Sequence, residues 1–109
     1  VRGHGAKRDA NEPIIVEALE AAGWLVIRLS APGMPDLLCV RRGVLVLMEV
    51  KMPKGSVTPK QAETFLEMLS WGYRVPIIRS VKEAVEVAEA LSKGRIDNRA
   101  ASSNEGMKT

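Results

Sequence analysis

A chain of 109 residues, 46% hydrophobic and 27% charged, can bury one core and no more, so a single domain is expected. A net charge of +3 and a pI near 9.3 suit a polyanionic partner without demanding one, and at 4% aromatic content phosphate contacts rather than base stacking would dominate any nucleic-acid binding. The single cysteine, Cys39, and single histidine, His4, exclude an intrachain disulfide and a cysteine-rich zinc site and leave little room for a serine triad, while apolar runs too short for a membrane span and the lack of a signal-peptide plan point to a cytoplasmic protein.

Residues 1–11 carry Arg2, Lys7 and Arg8 among glycines and read as a flexible basic arm, either solvated or touching phosphate. Ile15, Leu19 and Ala22 follow helical spacing, with Asn11 as N-cap, Pro13 in the first turn and Gly23 as the stop. Glu12 suits the dipole of that helix equally well as it suits a site. Trp24 to Leu29 reads as a strand, and Ser30-Ala31-Pro32-Gly33 as the turn that delivers Pro35-Asp36.

Two apolar runs, Leu37 to Val40 and Val44 to Met48, flank Arg41-Arg42-Gly43 and read as an antiparallel hairpin. Their near-continuous hydrophobicity predicts a sheet covered on both faces. After a loop at 52–57, Thr58-Pro59-Lys60-Gln61 carries the signals of a capping box, and a helix runs through Phe65, Met68 and Leu69 to Gly72. Capping alone would account for Gln61. A strand is expected over Tyr73 to Arg79, then a second capping box at Ser80 and Glu83 opening a helix with Val81, Ala84, Val85, Ala88 and Leu91, stopped by Gly94. Residues 95–109 have the composition of a disordered tail. The order is αβββαβα, an α/β fold with one mixed central sheet flanked by helices, the last strand joined by a right-handed crossover.

The hairpin register carries the functional reading. With Arg42-Gly43 as the turn, Arg41 pairs with Val44, and counting outward sets Asp36 opposite Glu49, with Lys51 on the Glu49 face. Like charges placed opposite one another call for a cation between them. A hard ion such as Mg2+ takes oxygen ligands, here Asp36, Glu49 and either the Val50 carbonyl or the Glu12 carboxylate. Lys51 would then stand beside the attacked phosphate as charge stabiliser or base, a set suited to phosphodiester hydrolysis.

Gly33 to Asp36, Glu49-Val50-Lys51, Glu12 at a helix start and Gln61 at the start of the next helix resemble the PD-(D/E)xK signature in the form seen in the virus-type replication-repair nuclease (VRR-NUC) domain. The resemblance covers roughly residues 12–90, with Met34 where a smaller aliphatic residue is commoner. It implies a restriction-endonuclease-like core over residues 12–94 and a Mg2+- or Mn2+-dependent endonuclease. Asp36 and Glu49 would be metal ligands, Lys51 the catalytic lysine, Gln61 an orienting residue and Glu12 an outer acid. It further implies a homodimer acting on branched or Holliday-junction DNA in a bacterial or phage-infected cell. Arg41, Arg42, Lys54, Lys60 and Ser30 are the candidate DNA contacts, with ordinary solvated charge as the alternative for Arg41, Arg42 and Lys54. A nuclease for flap, nicked or linear DNA, or a catalytically idle DNA-binding or assembly subunit, would fit the same fold.

Overall fold

The structure, a computed structural model, describes residues 8–93; the expectations for the first seven residues, for Gly94 and for the tail lie outside them. Helix α1 (Glu12–Ala21) is followed by β1 (Leu25–Arg28), β2 (Leu37–Arg41), β3 (Val44–Val50), α2 (Pro59–Ser70) and β4 (Ile77–Ile78), and the described chain ends in a helix, α3, over residues 81–93. The strands form one sheet in the order β1-β2-β3-β4, antiparallel except for the parallel β3/β4 pair that α2 connects. It is the expected mixed α/β sheet.

The hairpin has the register read from the sequence. Arg41 pairs with Val44 and Leu37 with Met48. Arg42 (φ 52°) and Gly43 (φ 80°) both lie in the left-handed region, as a two-residue turn matched to strand twist requires. Glycine enters this region freely, whereas Arg42 holds it against the contact between its Cβ and the backbone.

The sheet is two-sided in a way the apolar runs concealed. Leu37, Cys39, Val44, Val46, Met48 and Val50 alternate onto one face and are essentially sealed from solvent with Ile15 and Leu19 of α1 and Ala84 and Ala88 of α3. On the opposite face Leu25, Ile27 and Leu45 stay exposed, at 59%, 42% and 48%, so helices flank both faces but cover the second only in part. α2 buries none of its residues fully and reaches only the β3/β4 end of that face. Both runs were apolar at every position, yet only alternate side chains meet a helix.

The strand expected over Tyr73 to Arg79 contracts to Ile77–Ile78. Its ladder is the Glu49 N–H to Pro76 carbonyl bond at 2.9 Å and the Lys51 N–H to Ile78 carbonyl bond at 2.9 Å. Upstream, the Tyr73 hydroxyl takes the place of a strand: it accepts from the Leu47 N–H at 2.9 Å and donates to the Leu47 carbonyl at 2.7 Å. Proline at position 76 has no N–H to extend the pairing.

Asn11 sits at the start of α1 but its side chain makes no cap bond. Its amide nitrogen donates instead to the carbonyls of Lys51 (3.1 Å) and Arg79 (3.3 Å), tying the helix start to the ends of β3 and β4. Ser80 does cap α3, accepting from the Glu83 N–H at 3.1 Å, while the Glu83 carboxylate reaches back to the Arg79 N–H at 2.7 Å, one residue short of a capping box.

Replacing Arg42 by Asn, which tolerates the left-handed region, should raise stability by about 0.5–1 kcal/mol. Urea denaturation checks this, with a higher midpoint at unchanged slope expected.

Candidate active site

The acid end of the hairpin faces the start of α2. There Thr58 and Gln61 form the capping box the sequence signalled: Thr58 Oγ1 accepts from the Gln61 N–H, and Gln61 Oε1 accepts from the Thr58 N–H, both at 3.1 Å. The same oxygen also accepts from Lys51 Nζ at 2.9 Å, and Gln61 Nε2 donates to Glu49 Oε2 at 2.7 Å. Capping and site roles are therefore one arrangement. Two donors fix the amide oxygen on one side, which leaves the amide nitrogen to face the carboxylate. Lys51 Nζ completes the triangle 3.3 Å from Glu49 Oε2.

Asp36 enters just before β2. Its Oδ2 accepts from the Val50 N–H at 2.9 Å, which seats it beside Glu49 as the register requires. A residue's N–H and C=O leave a strand from the same edge, so the Val50 carbonyl also faces the Asp36 side. Glu49 is 1% exposed, and its Oε1 has no hydrogen-bond partner among the described residues. An orphaned buried carboxylate oxygen is costly. Burial first, and the nearby Asp36 carboxylate second, push the Glu49 carboxyl up to about 7, against the opposing pull of Lys51 and Gln61.

Glu12, also 1% exposed, is drawn into a different set of contacts. Arg8 Nη1 stands 3.2 Å from Glu12 Oε1 and Arg28 Nε 3.0 Å from Oε2. Burial nevertheless raises the Glu12 carboxyl, with these two arginines pulling the other way. Arg8 Nη2 also donates to the Leu29 carbonyl at 2.6 Å, and its Nη1 lies 3.5 Å from Asp36 Oδ1. Both Glu12 oxygens are thus taken by guanidinium groups. Among the described residues no three acid, His or Cys side chains converge as a metal-holding group, and Arg8 lies between Glu12 and Asp36.

A cleft of about 370 Å3 opens over this end, walled by the 29–34 loop on one side and by Thr58, Lys60 and Gln61 on the other, with Asp36 and Lys51 at its base. Gly33 (φ 81°) lets the walls meet: a Cβ there would fall 2.8 Å from Thr64 Oγ1 and 3.2 Å from Lys60 Cγ. Ser30 and Lys60 line it and are exposed, and Lys54 is exposed in the loop that follows β3. Arg41 and Arg42 are at the turn, the far end of the hairpin. Arg41 is fully engaged there, paired with both oxygens of Glu89 at 2.7 and 2.8 Å, donating to the Ala22 carbonyl at 3.1 Å and lying 4.4 Å over the Trp24 ring. The pairing holds the Glu89 carboxyl below its ordinary value. A separate apolar groove of about 340 Å3 between α2 and β4, lined by Phe65, Leu69 and Ile77, holds no acid.

Arg28 was not expected at the site, Asn11 was expected only as an N-cap, and Arg8, read as part of a flexible arm, is held by Glu12 and the Leu29 carbonyl. Arg28 had a signal, since pairing β1 with β2 puts it opposite Leu37, next to Asp36. Arg8 had none, because a residue ahead of the first helix has no periodicity to place it.

A helix ahead of a three-stranded meander, with acids at the adjoining ends of the second and third strands, an amine just past the third and a crossover helix after it, is the restriction-endonuclease-like core. No family model matches the chain, and no curated protein sequence does. Among solved structures it is similar to a VRR_NUC domain, at 30% identity and a TM-score of 0.60, over 72% of this chain and 89% of that one. The chain belongs to the VRR-NUC family and is a nuclease-type domain.

The high Glu49 value sets a pH dependence. The folded state keeps a proton that the unfolded chain, with an ordinary carboxyl near 4.5, has released, so this stabilising contribution is complete below pH 4.5 and is lost as pH rises through 7. The full shift corresponds to about 3 kcal/mol. In EDTA, stability from urea unfolding should fall between pH 5 and pH 8, and Glu49→Gln should flatten that slope. An equally steep slope in the variant would place the titration elsewhere.

Proposed function

We propose that this domain is a divalent-metal-dependent DNA endonuclease. The observation that carries the reading is the orphaned Glu49 Oε1 beside Asp36 and Lys51. No described residue donates to it, and a carboxylate pair with an adjoining backbone carbonyl is the donor set that a hard ion such as Mg2+ or Mn2+ takes. Asp36, Glu49 and the Val50 carbonyl would hold it, with Glu12 behind them. When bound, such an ion polarises the phosphate and makes water a stronger nucleophile.

The chain's own groups supply the rest. Hydrolysis adds water to phosphorus and breaks one ester P–O bond, and negative charge gathers on the phosphoryl oxygens in between. The Lys51 ammonium, braced by Gln61 and Glu49, offers a fixed positive charge beside that position. Gln61 acts on Lys51 and Glu49 rather than on phosphate, a positioning residue held by the helix cap. Ser30 and Lys60, which line the cleft, and the exposed Lys54 of the loop after β3 would contact the phosphates on either side. Arg41 and Arg42 lie too far along the hairpin for that task.

The finer reading is a homodimer acting on branched DNA, in which two clefts meet two equivalent strands. A second copy is expected on the open sheet face, where Leu25, Ile27 and Leu45 form an exposed apolar row on the side of the sheet that carries Glu49 and Lys51. Light scattering should then give twice the chain mass.

Asp36→Asn and Lys51→Ala should each lower cleavage at least about a hundredfold while unfolding stays cooperative. Purified protein incubated with four-way junction, flap, single-stranded and linear duplex DNA, with Mg2+, Mn2+ or EDTA, checks this. Cutting confined to the metal-containing wild-type reactions supports the reading; binding with no cutting in any of them points to an idle subunit. Lys54→Ala and Lys60→Ala should weaken binding across all sequences and each reduce the salt slope by about one.

A further inference from the structure

Three carboxylates at the hairpin end, Glu12, Asp36 and Glu49, already face three cations, Arg8, Arg28 and Lys51. Two of those cations have clear duties. Lys51 is locked to Gln61 and Glu49, and Arg28, on β1, holds the second Glu12 oxygen. Arg8 is different. It is the one that spans from Glu12 to Asp36, and it lines the cleft itself. Its side chain is only 26% exposed, and the Leu29 carbonyl anchors it at 2.6 Å.

We propose that Arg8 is a resident cation of the acid cluster, one that a divalent ion must displace from Asp36. The inference rests on the metal-dependent reading above. The reason is charge. A doubly charged ion arriving at acids that three cations already face would leave the site strongly positive in a partly buried setting, where repulsion is weakly screened. Release of Arg8 removes one of those charges and frees Asp36 Oδ1. The geometry allows it: the contact to Asp36, at 3.5 Å, is the longest that Arg8 makes, and the residue precedes α1, outside any helix or strand that would fix its backbone.

The same contacts make Arg8 a brace in the metal-free protein. It joins α1 through Glu12, the end of β1 through Leu29 and the start of β2 through Asp36. The group that holds the cleft together without a metal is the group that opposes its loading.

Titration calorimetry with Mn2+ tests this without reference to cleavage. Arg8→Gln should bind Mn2+ about tenfold more tightly than wild type, because a competing positive charge is gone. Binding equal to or weaker than wild type would overturn the proposal. A readout on the unmodified protein guards against a variant that folds poorly: on Mg2+ addition the Arg8 Nε–H resonance should shift while that of Arg41, paired with Glu89 far from the cleft, stays in place. An Arg8 resonance that does not respond while Mg2+ binds would also overturn it. If neither wild type nor Arg8→Gln binds Mn2+, the metal-dependent reading itself fails, and the role of Arg8 falls with it.

Discussion

Everything at the functional end of this domain depends on keeping the Glu49 carboxylate sealed beneath α2 with one oxygen bonded and the other bare. Burying such a group costs several kcal/mol, and the surrounding structure offsets this only in part. Gln61 and Lys51 serve one oxygen, and the proton that Glu49 retains up to about pH 7 eases the rest. The core face of the sheet supplies the needed rigidity, since Met48 and Val50 on either side of Glu49 are locked into the helix-covered cluster. A side chain between two such anchors cannot swing out to find water.

Gln61 shows how a local signal becomes a long-range one. The capping box at Thr58 is specified by four consecutive residues and would form in almost any helix of that sequence. Because α2 begins where the loop from β3 ends, the amide that closes the box also lies across Lys51 and Glu49. One glutamine thereby sets the helix start, the direction of the lysine and the orientation of a carboxylate. Loss of the cap would disturb all three together, which is why Gln61 has no separable structural and functional roles.

Much of this was legible in the chain. The turn at Arg42-Gly43 set the register, the register set Asp36 against Glu49, and alternation set Lys51 with Glu49; each step is short-range and obeys a fixed period. The Thr58 cap was legible for the same reason. What could not be read were contacts without a period. Arg8 reaches across from outside any element, and Asn11, whose residue type suits an N-cap, turns to two strand-end carbonyls that only the folded sheet brings near. The open part of the second sheet face was not legible because Leu25, Ile27 and Leu45 are apolar, and apolar residues stay exposed where α2 does not reach to cover them. Arg41 has the look of a phosphate ligand in sequence but is spent on Glu89 and Trp24.

The Tyr73 hydroxyl has a bearing on how the protein behaves in a crowded solution. Where β4 stops short, the rim of β3 would offer an unpaired amide and carbonyl to any passing extended segment, the usual opening for chains to zip into aggregates. A single phenol answers both groups of Leu47 at once, and being a side chain it offers no further rim of its own for a newcomer to join. At Leu47 that opening is closed by one aromatic ring, without a further strand.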